Sequence, residues 1–92
     1  LFNILNENVN INLHVTGHAS KEGSNWFNEK ISKERASNIK FILVKKGITD
    51  KRISSDGKGA SEPLCNENTE ECLIMNRRIE LSIKDNDDIN LN

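Results

Sequence analysis

Between Val9 and Thr16 the chain alternates without a break. Val9, Ile11, Leu13 and Val15 are apolar, while Asn10, Asn12, His14 and Thr16 are polar. Successive side chains of a strand point to opposite faces, so a period of two predicts a strand with one buried and one wet face. The same pattern returns near the end of the chain. Ile79, Leu81 and Ile83 alternate there with Arg78, Glu80, Ser82 and Lys84. Two such strands need a covering layer on one side only.

Helical signals supply that layer. Ala36, Ile39, Ile42 and Leu43 recur at helical spacing and predict a buried stripe. Ser32 suits the N-cap of this helix, and Gly47 its C′ position. Trp26 and Phe27 are expected to anchor a separate short helical segment before it. Leu1, Phe2, Ile4 and Leu5 suit the last turns of an earlier helix. A short strand is expected around Arg52 to Ser55, and residues 56–63 read as loop. The order is helix end, strand, helix, strand, strand. It predicts a two-layer α/β sandwich, a mixed sheet with helices on one face. A chain of 92 residues holds one such domain.

Composition narrows the function classes. Thirteen basic residues, counted as Lys and Arg, nearly balance fourteen acidic ones. A nucleic-acid surface needs a basic patch or stripe, so no nucleic-acid partner is expected. No apolar run approaches the roughly 18 residues of a spanning helix, so direct membrane insertion by this chain is not expected. Cys65 and Cys72 share a polar, loop-like segment. Their spacing leaves open a disulfide in an oxidising compartment or two free thiols. No CxxC pair or His cluster completes a zinc site, and neither a metal nor a cofactor is expected.

Catalytic patterns are poorly supplied, and the chain is not expected to be an enzyme. His18 and Ser20 lie two apart on a loop, outside any G-x-S-x-G elbow. Gly57-Lys58-Gly59 is too short for a phosphate-binding loop. His14 and His18 fall on the polar side of the first strand and are expected to be solvated. Arg35 would lie in the first turn of the main helix if Ser32 caps it. A guanidinium beside free backbone N–H groups suits a carboxylate, although an exposed Arg in a rim ion pair fits the same residue. Asn76-Arg77-Arg78 adds positive charge at the start of the last strand.

Taken together, these pieces resemble one family. Gly17-His18-Ala19-Ser20 follows an alternating strand. Then come Gly23-Ser24, Phe27-Asn28, Ile31-Ser32, Arg35-Ala36, Gly47-Ile48, Gly57-Lys58-Gly59, Pro63 and Asn76-Arg77-Arg78-Ile79-Glu80. The set resembles the OmpA C-terminal-like domain, the peptidoglycan-binding module of the OmpA, MotB and Pal type, over about residues 9 to 84. The resemblance implies a periplasmic domain of an outer-membrane or cell-envelope protein, with peptidoglycan as partner. It implies recognition of the diaminopimelate of the stem peptide, with Ala19, Ser20, Asn28, Arg35, Arg77 and Arg78 as the binding residues. A periplasmic setting also implies a Cys65–Cys72 disulfide.

Two departures bear on that reading. The acidic residue with which the family meets the ligand ammonium falls on Ser20, with Glu22 nearby. This favours an alternative, an OmpA-like assembly module that has lost diaminopimelate binding. The family's first strand and most of its first helix would also precede Leu1. The resemblance therefore assigns residues 1–84 to an N-terminally truncated domain and residues 85–92 to a polar, frayed tail. An uncovered sheet edge makes a homodimer an expectation.

Overall fold

A computed structural model of the chain describes residues 1–85. Helix α1 (Phe2–Glu7) leads to strand β1 (Ile11–Gly17) and the long helix α2 (Asn25–Lys45). Strand β2 (Ile53–Gly57), helix α3 (Glu70–Asn76) and strand β3 (Ile79–Asp85) follow. β1 is the middle strand, parallel to β2 and antiparallel to β3. This is the mixed sheet that the alternation predicts. Leu13 and Val15 turn one face of β1 into the core, where they pack with Leu5, Ala36, Leu43, Ile48 and Ile53. Each fully buried aliphatic side chain contributes about 1.5–3 kcal/mol. His14, on the opposite face of β1, donates or accepts a 2.6 Å hydrogen bond with Ser54 of β2.

Helix α2 is continuous, which corrects the predicted start at Ser32. Ser24 is the N-cap, and its hydroxyl accepts from the Phe27 N–H at 3.1 Å. No Gly or Pro interrupts residues 25–45, so nothing stops the helix from extending back to Asn25. Ser32 is instead buried inside the helix. Its hydroxyl donates back to the Glu29 carbonyl at 2.9 Å and accepts from the Gly59 N–H at 2.9 Å. A serine can satisfy itself in either setting, which is why the sequence suggests a cap there. The C-terminus matches expectation. Gly47 has φ +116°, and the N–H groups of Gly47 and Ile48 return to the carbonyls of Val44 and Leu43. This is a Schellman closure, with Ile48 buried against Leu43.

Close approach between α2 and the sheet sets the geometry of everything downstream. Gly17 and Gly57 are register partners at the ends of β1 and β2. A Cβ on Gly17 would fall 2.1 Å from the Ser32 carbonyl oxygen, and one on Gly57 would fall 2.4 Å from the Lys33 nitrogen. Only glycine lets the helix backbone come this near.

Several other expectations change. Val9 lies before β1 and is 69% exposed, because the turn that closes α1 uses residues 9–10. His18 is 1% exposed rather than solvated. The alternation ends at Gly17, and the backbone then turns inward, with the His18 N–H bonded to the Arg78 carbonyl at 2.8 Å. Ile42 is half-exposed because the core-facing stripe runs through Ala36 and Leu43. Asp56 and Gly57 extend β2 into the expected loop. Part of the cysteine segment is helical, α3 being capped by Thr69. β3 runs through Asp85, the first residue assigned to the tail, and residues 86–92 lie outside the described residues. The apolar side chains of β3 do alternate, yet Leu81 and Ile83 remain 49% and 52% exposed. Among the described residues, nothing lies over that part of the sheet.

Candidate functional site

The chain leaves β1 through Ala19 and Ser20, both buried. Two strands of backbone hold this exit. The Ala19 N–H donates to the Gly59 carbonyl at 2.8 Å, and the neighbouring His18 N–H to Arg78. Opposite the loop lies the first half of α2. Residues 27, 28, 31 and 35 fall on one face of a continuous helix. Arg77 closes the third side from the end of α3. The result is a pocket of about 190 Å³. Ala19, Ser20 and Glu22 line it from the loop, Phe27, Asn28, Ile31 and Arg35 from the helix, and Arg77 from the far wall.

Five of the six expected binding residues therefore meet in one cavity. Arg78 does not join them. Its Nε donates to Glu80 at 2.7 Å and its Nη2 to the Glu62 carbonyl at 3.0 Å, so it braces β3 against the preceding loop. That hydrogen bond holds the Glu80 carboxyl below the usual carboxylate range, with the Arg78 and His18 charges acting in the same direction. His18 Nε2 lies 3.4 Å from Glu80.

Inside the pocket, donors and acceptors are unevenly engaged. Arg77 Nη2 pairs with Glu22 Oε1 at 2.5 Å, and Arg77 Nε donates to Ser20 Oγ at 3.3 Å. Arg35 makes no ion pair or hydrogen bond among the described residues. Asn28 is 4% exposed, and its Nδ2 is buried without a partner among the described residues. A buried donor left unpaired costs about 1–3 kcal/mol, so the amide is suited to a ligand acceptor. The cavity thus offers a free guanidinium and a free amide N–H.

One part of the sequence argument for Arg35 does not survive. Arg35 lies ten residues into α2, about 15 Å from the helix start. The helix N-terminus therefore adds nothing to its pull on an anion, an effect that fades within the first turn. Glu22, Phe27 and Ile31 were not expected as lining residues. Phe27 and Ile31 stand two turns and one turn before Arg35 on the unbroken helix, a spacing the sequence carries, whereas Glu22 lies on the preceding loop and has no such signal. A larger groove of about 340 Å³ lies over the wet face of the sheet beside His14, Ser54 and Lys84. Among the described residues, no buried unpartnered side-chain atom lines it.

Cys65 and Cys72 are joined in a disulfide that ties the approach to α3 onto the helix itself. Asn76 secures the same segment. Its Oδ1 accepts from the Leu64 N–H at 2.8 Å, and its Nδ2 donates to the Cys65 carbonyl at 3.1 Å. Arg77, the next residue, inherits its position from this clamp.

Known proteins resemble this chain in sequence and in fold. Outer membrane porin F of Pseudomonas fluorescens is 38% identical over 73 residues, covering 79% of this chain and 22% of the porin. Outer membrane protein A of Bordetella avium is 39% identical over 69 residues, covering 75% of this chain and 36% of that protein. The chain thus spans between a fifth and two fifths of these curated relatives. In three dimensions it superposes on the peptidoglycan-associated lipoprotein of Burkholderia pseudomallei with a TM-score of 0.86 at 19% identity. That match covers 90% of this chain and 70% of the lipoprotein chain, and it establishes the fold. The OmpA family pattern itself matches residues 1–77, from α1 through Arg77, and the chain belongs to the OmpA family.

Proposed function

We propose that this chain binds peptidoglycan non-covalently through the pocket between the β1 exit loop and α2. In this reading it recognises the diaminopimelate of the stem peptide and anchors an envelope protein to the wall from the periplasmic side. The observation that carries the reading is the pair of open donors, the Arg35 guanidinium and the buried Asn28 Nδ2. Both suit a carboxylate, and a guanidinium can hold one through two parallel hydrogen bonds. The name of the Burkholderia pseudomallei lipoprotein, peptidoglycan-associated, supports the same partner.

Co-sedimentation with purified sacculi tests the proposal. The chain pellets with the wall, and Arg35→Ala lowers the bound fraction at a fixed wall concentration. A chain that stays in the supernatant at every wall concentration contradicts it. One observation favours a second reading, that of an assembly module. Ser20 stands where the family has an acid, and Glu22 is already paired with Arg77. Under that reading wall binding is absent and a protein partner replaces it. The half-exposed Leu81 and Ile83 on β3 also support self-association of this chain, since an uncovered sheet face and edge invite pairing.

A further inference from the structure

Among the described residues, the charged groups lining the pocket are two guanidiniums, Arg35 and Arg77, and one carboxylate, Glu22. Arg35 carries a guanidinium with no partner among the described residues, and Asn28 presents its buried Nδ2. Ser20 Oγ accepts from Arg77 Nε at 3.3 Å, so its own O–H is left to donate. Glu22 is held through Oε1 by Arg77 at 2.5 Å, an ion pair that offsets its charge. An ammonium would enter a lining with one more cation than anion, whose single negative charge is already offset by Arg77. An amide carbonyl brings an acceptor and meets the Ser20 hydroxyl directly.

Resting on the proposed function, we infer that Arg77 sets the specificity of this pocket by occupying Glu22 and Ser20. The site then takes stem peptides whose diaminopimelate side-chain amine is acylated, the linkage that joins one stem to the next, at least as tightly as those with a free amine. The carboxylate end of the ligand still goes to Arg35 and Asn28. The amine end becomes a neutral amide, which needs no counter-charge. Wall that is already cross-linked remains a ligand, and the chain need not compete for unlinked stems.

The test is calorimetric titration of the 92-residue chain with two probes. One is an N-acetylmuramoyl tripeptide ending in meso-diaminopimelate, and the other is the same compound acetylated on its side-chain amine. The expected Kd for the acetylated probe is equal to or below that for the free amine. A free-amine probe that binds more than about threefold tighter overturns the inference and leaves the proposed function standing. If neither probe binds, the proposed function fails and the inference fails with it. Two variants read the ratio of the two constants rather than absolute affinity. Arg77→Gln releases Glu22, and Ser20→Asp adds a carboxylate, so each shifts the ratio toward the free amine by about tenfold. An unchanged ratio in both overturns the role given to Arg77.

Discussion

At the scale of single residues, the pocket depends on atoms that are missing as much as on those present. Gly17 has no Cβ, and the helix backbone at Ser32 occupies that space. Gly17→Ala places a carbon 2.1 Å from a carbonyl oxygen, and neither backbone can yield without moving the β1 exit. We expect a loss of about 2–3 kcal/mol or more, read by urea denaturation. A variant as stable as the parent would mean that α2 rides less tightly on the sheet than this geometry requires. The candidate site was partly legible in single residues. Ala19, Ser20, Asn28, Arg35 and Arg77 could be named because they fall at motif positions, and they do share a cavity. Arg78 could not be separated from Arg77, since neighbours on a chain point to different sides and only the fold says which side is the pocket. Glu22 was visible as a nearby acid, but its pairing with Arg77 joins residues 55 apart in sequence. The period of two puts His18 on the wet side, and it carries no sign that the strand ends at Gly17 and turns His18 inward.

Elements are tied together by groups that pattern reading passes over. Arg52, just ahead of β2, donates to the carbonyls of Leu5, Asn8 and Ile11 at 2.8 to 3.1 Å. It thereby fastens the end of α1 to the start of β1. Hydrogen bonds to charged groups are worth about 1.5–3 kcal/mol, so Arg52→Ala should lower stability by about 2 kcal/mol. For a domain of this size that is a fall of roughly 10 °C in Tm, which calorimetry resolves. The disulfide closes a short loop, with a sequence separation of 7. Chain entropy assigns it about 2.5 kcal/mol. Melting with and without reductant should show that loss, and an unchanged Tm would mean that the Asn76 amide holds the segment unaided. At this scale the sequence is most readable where a repeat is long. The alternation of β1 and β3 and the Gly47 stop of α2 were plain. The start of α2 was not, because Ser32 satisfies its hydroxyl inside the helix as a cap residue would outside it.

For the molecule as a whole, two responses follow from charge and from exposed apolar surface. The Glu80 carboxyl is held low chiefly by the Arg78 hydrogen bond. That of Asp56 is held low chiefly by the Gly57 N–H, at 2.7 Å. A carboxyl with a lowered folded-state pKa contributes stability above the ordinary carboxylate range and loses it as pH falls through the folded value. Stability should therefore be flat near neutrality and decline in acid, and Glu80→Gln should make the acid decline shallower in a series of thermal melts. Leu81 and Ile83 lead to the second response. Light scattering should show the weight-average mass rising with concentration, and Leu81→Lys with Ile83→Lys should abolish the rise. A mass independent of concentration would remove self-association from the account. The fold class was legible at this scale because element order fixes the layers. How much of the sheet is covered was not, since alternation shows which side of β3 is apolar but not what lies over it. The central claim is that ligand enters between the β1 exit and α2, and a ¹H–¹⁵N NMR titration with a diaminopimelate-containing muropeptide tests it most directly. The account predicts shifts concentrated at Ala19, Ser20, Arg35, Arg77 and the Asn28 side-chain amide, and shifts confined to His14, Ser54 and Lys84 on the wet sheet face would contradict it.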